Sequence, residues 1–176
     1  MSQYNLNKLL RPRSVAVVGA TDRPGTVGCV VLENLKSGGF GGPIFPINPK
    51  RKQILGIPAF PSIGAVGESI DLAVLCTPIA SVPSVIMECG AAGVGGAIIY
   101  SAGGKEIGDQ GKAVEEEIKA AAYKSGIRLL GPNCMGLSAG AINLNASFFH
   151  AMPEQGQVAF AAQSGAMCST VLDYGL

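Results

Sequence analysis

Val15-Ala16-Val17-Val18-Gly19-Ala20-Thr21-Asp22-Arg23-Pro24-Gly25-Thr26-Val27-Gly28 is the stretch on which the fold turns. Four apolar residues without polar alternation read as a strand buried on both faces, as strands of parallel sheets are. A glycine-bearing turn follows. From Gly25 to Lys36, Val27, Val30, Val31 and Leu35 recur at helical spacing, and Gly38-Gly39 ends the run. Strand, glycine turn and helix in this order predict a phosphate-binding loop. Its glycines let the backbone approach an anion, and the helix start offers N–H groups and partial positive charge. The glycines are spaced more widely than in the dinucleotide fingerprint, and no Lys-Ser or Lys-Thr follows them, so the loop is not a P-loop.

The same alternation continues outward. Ile44 to Ile47 reads as a second strand, with Pro46 marking a bulge or a strand end. Asp71 to Cys76 is a third, closed by Thr77-Pro78, and Ser81 to Ala92 a helix with proline in its first turn. Gly96 to Tyr100 is a fourth strand. Asp109 to Ser125 is a helix that turns Val114, Ile118 and Ala121 or Ala122 inward, leaving Glu115, Glu116, Lys119 and Lys124 in solvent. Ile127 to Leu130 is a fifth strand, ending at Gly131-Pro132-Asn133-Cys134. Such alternation predicts an α/β fold: a Rossmann-like, doubly wound parallel sheet, with ligands received at the carboxyl ends of its strands. Residues 1–140 form this domain and 141–156 a linker, with a crossover strand and loop at Ala141 to Phe149. At 157–176 a second α/β unit, flavodoxin-like, begins with a strand at Gln157 to Ala162 and a helix opened by Gln163-Ser164-Gly165 and running to Leu176. That unit is unfinished, so a fragment of a longer polypeptide is expected.

Composition narrows the function classes. Of 176 residues 48% are apolar and 14% charged, enough to bury a core. The best membrane candidate, Val85 to Tyr100, is interrupted by Glu88 and by glycines, and the N-terminus lacks the apolar core of a signal peptide. A soluble, cytoplasmic protein with no membrane partner is expected. Net charge is +1 with no large basic block, which leaves no footprint for nucleic acid. Cys29, Cys76, Cys89, Cys134 and Cys168 form no CxxC, and with a single histidine no metal site is expected.

The end of the second strand narrows the ligand. Enzymes that use NAD place Asp or Glu there to bond the ribose. This chain has Asn48-Pro49-Lys50-Arg51-Lys52, whose cations suit an additional phosphate on the adenosine. Coenzyme A carries one on its 3′ oxygen and NADP one on its 2′ oxygen; the turn by itself accommodates either.

Leu9-Leu10-Arg11-Pro12-Arg13-Ser14 with the first strand, Pro46-Ile47-Asn48-Pro49-Lys50, Asp71-Leu72-Ala73-Val74, Gly131-Pro132-Asn133-Cys134-Met135-Gly136, Leu144-Asn145-Ala146-Ser147-Phe148 and Gln163-Ser164-Gly165 follow one another in this order and spacing. In this the chain resembles the CoA-binding domain of the NDP-forming acyl-CoA synthetases. That group includes ADP-forming acetyl-CoA synthetases, the alpha subunit of succinyl-CoA synthetase, and related fused protein lysine acetyltransferases. The resemblance implies coenzyme A as ligand. Gly19, Thr21, Asp22, Arg23, Pro24 and Gly25 would wrap its phosphates, and Asn48, Pro49 and Lys50 or Arg51 would meet a phosphate. Thr77 and Pro78 would line the adenine side, Tyr100, Ser101 and Ala102 the pantetheine arm, and Asn133 and Cys134 the thiol end. Gln163, Ser164 and Gly165 would form a phosphate loop of the second domain.

The resemblance further implies an acid–thiol ligase as parent, with the remaining synthetase domains or subunit as partners and with ADP or ATP and Mg handled by those domains. The family's phosphohistidine would lie downstream, so this chain is expected to bind without catalysing. Ser169 stands where the succinate enzyme has a tyrosine, which favours acetyl or another small monocarboxylic acyl group. Two other readings remain: a ligand-sensing domain of a fused lysine acetyltransferase, and an NADP-binding oxidoreductase domain.

His150 lies in the expected linker, away from any catalytic grouping. Cys134 has no visible base and reads as a packed thiol. Glu115, Glu116 and Glu117 are consecutive and point around their helix, and Asp71 reads as a capping or turn residue. Val158-Ala159-Phe160-Ala161 would leave an open sheet edge through which copies self-associate as homo-oligomers.

Overall fold

The computed structural model describes residues 4–175. In chain order the elements are α1 (Leu6–Leu10), β1 (Val15–Val18), α2 (Val27–Ser37), β2 (Ile44–Ile47), β3 (Gln53–Ile54), β4 (Ile57–Pro58), β5 (Leu72–Leu75), α3 (Val82–Ala91), β6 (Gly96–Ile99), α4 (Asp109–Ser125), β7 (Arg128–Leu130), β8 (Gly136–Ala139), β9 (Leu144–Ser147) and α5 (Gly165–Tyr174). The central sheet runs β2-β1-β5-β6-β7, every pair parallel. The order reverses between β1 and β5, which fixes where a ligand can lie across the strand ends.

Alternation along each strand feeds two separate cores. Ala16, Val18, Ala73, Leu75, Ala97 and Ile99 meet Val82, Ile86 and Cys89 of α3 and Ile118, Ala121 and Ala122 of α4. Val15, Val17, Leu72, Val74 and Ile98 meet Leu9 of α1, Val31, Leu32 and Leu35 of α2, and Leu144 and Ala146 of β9. Each large aliphatic side chain so buried contributes roughly 1.5–3 kcal/mol. This is the sheet with helices on both faces that the sequence predicts, and α4 has the predicted limits.

Pro46 creates neither a bulge nor a strand end. The register with β1 runs unbroken from Val15↔Ile44 to Val18↔Ile47. Gly19 N–H donates to Ile47 O on the inner side, whereas Pro46 O accepts from Phe60 N–H at 2.9 Å on the outer side. Proline is tolerated because its missing donor faces away from the ladder, on an edge strand. A lone parallel bridge, Ile47↔Phe60, stands where one more strand would continue the sheet.

The second face is completed by an antiparallel hairpin of β8 and β9. A strand does form within the crossover strand and loop expected at Ala141 to Phe149, but it pairs antiparallel with β8 as a hairpin and packs on the sheet. Asn34 of α2 clamps it, its Nδ2 donating to Ser147 O at 2.9 Å and to Phe149 O at 3.0 Å. The expected strand at Gln157 to Ala162 does not form. Among the described residues no strand lies beside it to share a ladder, and Val158 is 93% exposed. The open sheet edge expected there is therefore absent from the described residues. The helix after it does form, as α5; Leu176, its expected end, lies outside the described residues.

Candidate functional site

Gly19 ends β1 at φ +83°, a backbone that L side chains rarely adopt. A Cβ there would press within 2.9 Å of Cys76 O and 3.1 Å of Thr77 Cγ2. At Gly28 a Cβ would collide with the Gly19 carbonyl, so glycine lets the first turn of α2 settle directly on the loop. Gly28 is the residue whose part in this loop the sequence left undefined. Within the loop, Thr21 Oγ1 accepts from Arg23 N–H at 3.2 Å, and Thr26 Oγ1 donates to Arg23 O at 2.7 Å. Thr26 is the N-cap of α2, yet its hydroxyl is turned back onto the loop and does not cap the helix. The positive end of α2 is left without a side-chain acceptor, which suits an anion.

Asn48 locks the second turn to the first. Its Nδ2 donates to Ala20 O at 2.8 Å, and its Oδ1 accepts from Lys50 N–H at 2.9 Å. Arg51 Nη2 lies 3.3 Å from Asp22 Oδ1. Pro49 and Lys50 are exposed beside this pair, as are Arg23, Pro24 and Gly25 in the facing loop.

The contacts continue across the remaining strand ends. Ser101 Oγ donates to Thr77 O, and Asn133 N–H donates to Ser101 O at 3.1 Å. Pro78 and Ala102 are exposed along this line, while Thr77 Oγ1 is buried without a hydrogen-bond partner among the described residues. Asn133 takes a left-handed conformation, φ +53°, after a cis Gly131–Pro132 bond. Cys134 Sγ donates to Ile99 O at 3.4 Å, and burial pushes its pKa up, so this is a packed neutral thiol. Next to it, Met135 lies against Gly165, where a Cβ would strike its side chain. Ser164 caps α5 there, its Oγ accepting from Met167 N–H at 3.3 Å, and Gln163 is exposed. Loop 19–26, turn 48–51, Thr77, Ser101, Asn133, Cys134 and the start of α5 therefore form one connected crest.

Tyr100 stands apart from it. Its side chain is buried, its hydroxyl donates to Ala146 O at 2.6 Å, and its ring packs on Phe148 at 4.5 Å between centroids. Burial raises its pKa well above the ordinary value. The phenol holds the hairpin to the sheet, and only the backbone at this position is near the crest. His150 pairs with Asp173 at 3.5 Å on the surface, and Ser169 Oγ donates to Gly165 O at 3.3 Å.

Two carboxylates border the crest unannounced by the sequence. Glu106 Oε1 accepts from Gly103 N–H at 2.7 Å, and Glu115 Oε1 accepts from Lys105 N–H at 2.7 Å. The N–H of Gly103, above all, lowers the pKa of Glu106. Glu116 instead bonds Lys119, so the consecutive glutamates do diverge. Among the described residues no helix is long and apolar enough to cross a membrane, and no three His, Cys, Asp or Glu residues are grouped to hold a metal ion.

The chain is similar to known proteins. A family model described as CoA binding domain matches residues 13–139, the entire parallel sheet and β8. The ADP-forming acetate–CoA ligase of Methanocaldococcus jannaschii is 44% identical over 170 residues, covering 97% of this chain and 24% of that protein. The alpha subunit of ADP-forming acetate–CoA ligase II of Pyrococcus furiosus is 38% identical over 162 residues, covering 92% of this chain and 35% of that subunit. The solved dinucleotide-forming acetyl-coenzyme A synthetase 1 of Ca. Korarchaeum cryptofilum, in complex with phosphate and ADP, superposes with a TM-score of 0.89 at 38% identity. It is covered to 36%, against 96% of this chain. The chain thus spans about a quarter to a third of the length of these relatives. Matched by that family model from Arg13 to Ala139, and over nearly its whole length by these relatives, the chain belongs to the CoA-binding domain family, of the kind found in ADP-forming acyl-CoA synthetases.

Proposed function

We propose that this chain is the CoA-binding module of an ADP-forming acyl-CoA synthetase acting on acetate or another small monocarboxylic acid. The observation that carries the reading is the connected crest. It offers a side-chain-free helix start at α2 and, one hydrogen-bonded step away, the basic turn at Lys50. Diphosphate oxygens meet the α2 N-terminus and loop 21–25, and the adenosine phosphate meets Lys50. Arg51 is already engaged by Asp22, so Lys50 is the cation better placed to turn toward a ligand. Pro78 and Ala102 line the path of the adenine and the pantetheine arm, and the thiol ends near Asn133 and Cys134. Because Cys134 is neutral and packed, it borders the sulfur rather than attacking. Gln163, Ser164 and Gly165, seated beside Met135, bring a second helix start to that same end. ADP, Mg and the remaining synthetase domains or subunit complete the reaction in the cytoplasm, where five free thiols are at home.

Calorimetric titration with CoA, dephospho-CoA and NADPH at two salt concentrations tests this. CoA binds, and removing its 3′-phosphate weakens binding about tenfold, the worth of one charge-assisted contact. Raising salt narrows the difference between the two ligands. Binding of NADPH with none of CoA would overturn the proposal.

A further inference from the structure

We infer that Glu115 and Gly111 of α4, together with Glu106, are positioning residues that hold the loop 101–108 in its ligand-receiving form; the inference rests on the CoA reading above. This loop carries Ser101 and Ala102 on the crest and then runs away toward α4. Its own sequence fixes little. Gly103 and Gly108 both take positive φ, +109° and +91°, backbones that glycine alone adopts readily, and between them the chain closes only one tight turn, Ile107 N–H donating to Gly104 O at 3.0 Å and Gly108 N–H to Lys105 O at 3.2 Å. What fixes the loop comes from outside it and from its far end. Glu115 reaches back from α4 and accepts from Lys105 N–H at 2.7 Å. Glu106 folds over and accepts from Gly103 N–H at 2.7 Å. Carboxylate acceptors make these bonds stronger than neutral ones.

The fit between loop and helix is reciprocal. A Cβ at Gly111 would run into the Gly104 carbonyl, so only glycine lets the loop lie flat on the first turns of α4. A Cβ at Gly104 would run into the Glu115 carboxylate, so only glycine leaves that carboxylate its place. The pinned segment is two residues from Ser101, whose hydroxyl and carbonyl tie it to Thr77 and Asn133 at the centre of the crest. Glu115 bonds the loop at Lys105 rather than at Ser101, so its effect on a ligand runs through Lys105 and Gly103.

The test uses the full chain in four forms. Wild type is titrated with CoA first; absence of binding there defeats the CoA reading itself. With wild-type binding in hand, Glu115→Ala is expected to weaken CoA about tenfold, while Glu115→Gln, which keeps an acceptor oxygen, stays within about threefold of wild type. Amide exchange should show Lys105 N–H released in Glu115→Ala and retained in Glu115→Gln, with Ile118 and Ala122 of α4 unchanged. The ratio of CoA to dephospho-CoA affinity stays at its wild-type value, because the Lys50 turn is untouched. If Glu115→Ala binds CoA as wild type does, or if Glu115→Gln is as impaired as Glu115→Ala, the positioning role is overturned. Gly111→Ala gives a second arm: loss of CoA affinity with the melting temperature preserved agrees with the inference, and full affinity contradicts it.

Discussion

Thr77 turns its hydroxyl inward with no hydrogen-bond partner among the described residues, while its methyl lies beside Gly19. A buried hydroxyl left unpaired costs about 1–3 kcal/mol, and valine has the same shape without the polar group. Thr77→Val is therefore expected to stabilise the chain by about 1 kcal/mol, raising the melting temperature by roughly 2–4 °C in thermal unfolding. A fall in melting temperature would mean that the hydroxyl has an acceptor after all. At this scale the sequence was informative where a residue acts through its own type. The tight turn at Gly19 and the packed Cys134 follow from what those residues are. It was silent where a residue acts on a backbone group supplied by folding: Glu106 and Glu115 find N–H groups, and Gly28 finds a carbonyl, that no pattern of neighbours discloses.

At the next scale up, the β8–β9 hairpin does on one face what a helix does on the other. It covers the sheet with Leu144 and Ala146 and turns Ser138, Asn145 and Ser147 outward into mutual hydrogen bonds. Asn34 joins it to α2 through two carbonyls. Asn34→Ala should cost about 1–2 kcal/mol, read as a lower urea midpoint, and should speed amide exchange in β9 and at Phe149 before it touches β1. Equal acceleration in β1 would show that the hairpin is not a separate unit. Four of the five parallel strands were legible as continuous apolar runs, which burial on both faces requires, whereas β7 carries Arg128 and is only half-buried, and it was legible from its place after α4. The hairpin was legible only in part: β9 falls within the strand and loop expected at Ala141 to Phe149, whereas the apolar alternation of Gly136-Leu137-Ser138-Ala139 spans just four residues, and the polar side of β9 is buried against α2 rather than exposed. Residues 157–162 misled in the opposite sense. Their apolar run matches a strand, but a strand exists only with a neighbour to bond.

Over the whole molecule, the crest at the carboxyl ends of the strands and the opposite end of the sheet carry different kinds of polar chemistry. At the opposite end Asp71 is 3% exposed, and its Oδ2 accepts from Arg13 N–H at 3.0 Å and from Arg13 Nε at 3.1 Å. Ser14 Oγ accepts from Asp71 N–H at 2.9 Å and donates to Ser69 O at 2.9 Å, so β1 and β5 start from one polar knot. Burial pushes the Asp71 pKa up, but the two Arg13 bonds, the Arg13 charge and Lys8 outweigh it, and the value falls below 3.8. A carboxyl whose pKa is lowered by folding stabilises the fold fully above its unfolded value and loses that contribution as pH drops through the folded one. Urea midpoints should therefore decline below about pH 4 in wild type. Asp71→Asn should be less stable by about 1–3 kcal/mol at pH 7, and its midpoint should decline less over that acid range. An identical acid decline in both would remove Asp71 from the account.

The lone bridge at Phe60 has a consequence for how molecules crowd together. The outer margin of β2 is already spoken for: Pro46 has no N–H to offer, its carbonyl is held by Phe60, and Asn48 N–H is bonded to Phe60 O at 2.8 Å. A ribbon of stacked copies grows by docking one bare margin onto another. From Pro46 to Asn48 this side leaves a second copy no free ladder group to dock on, so such a fibre is blocked along that stretch.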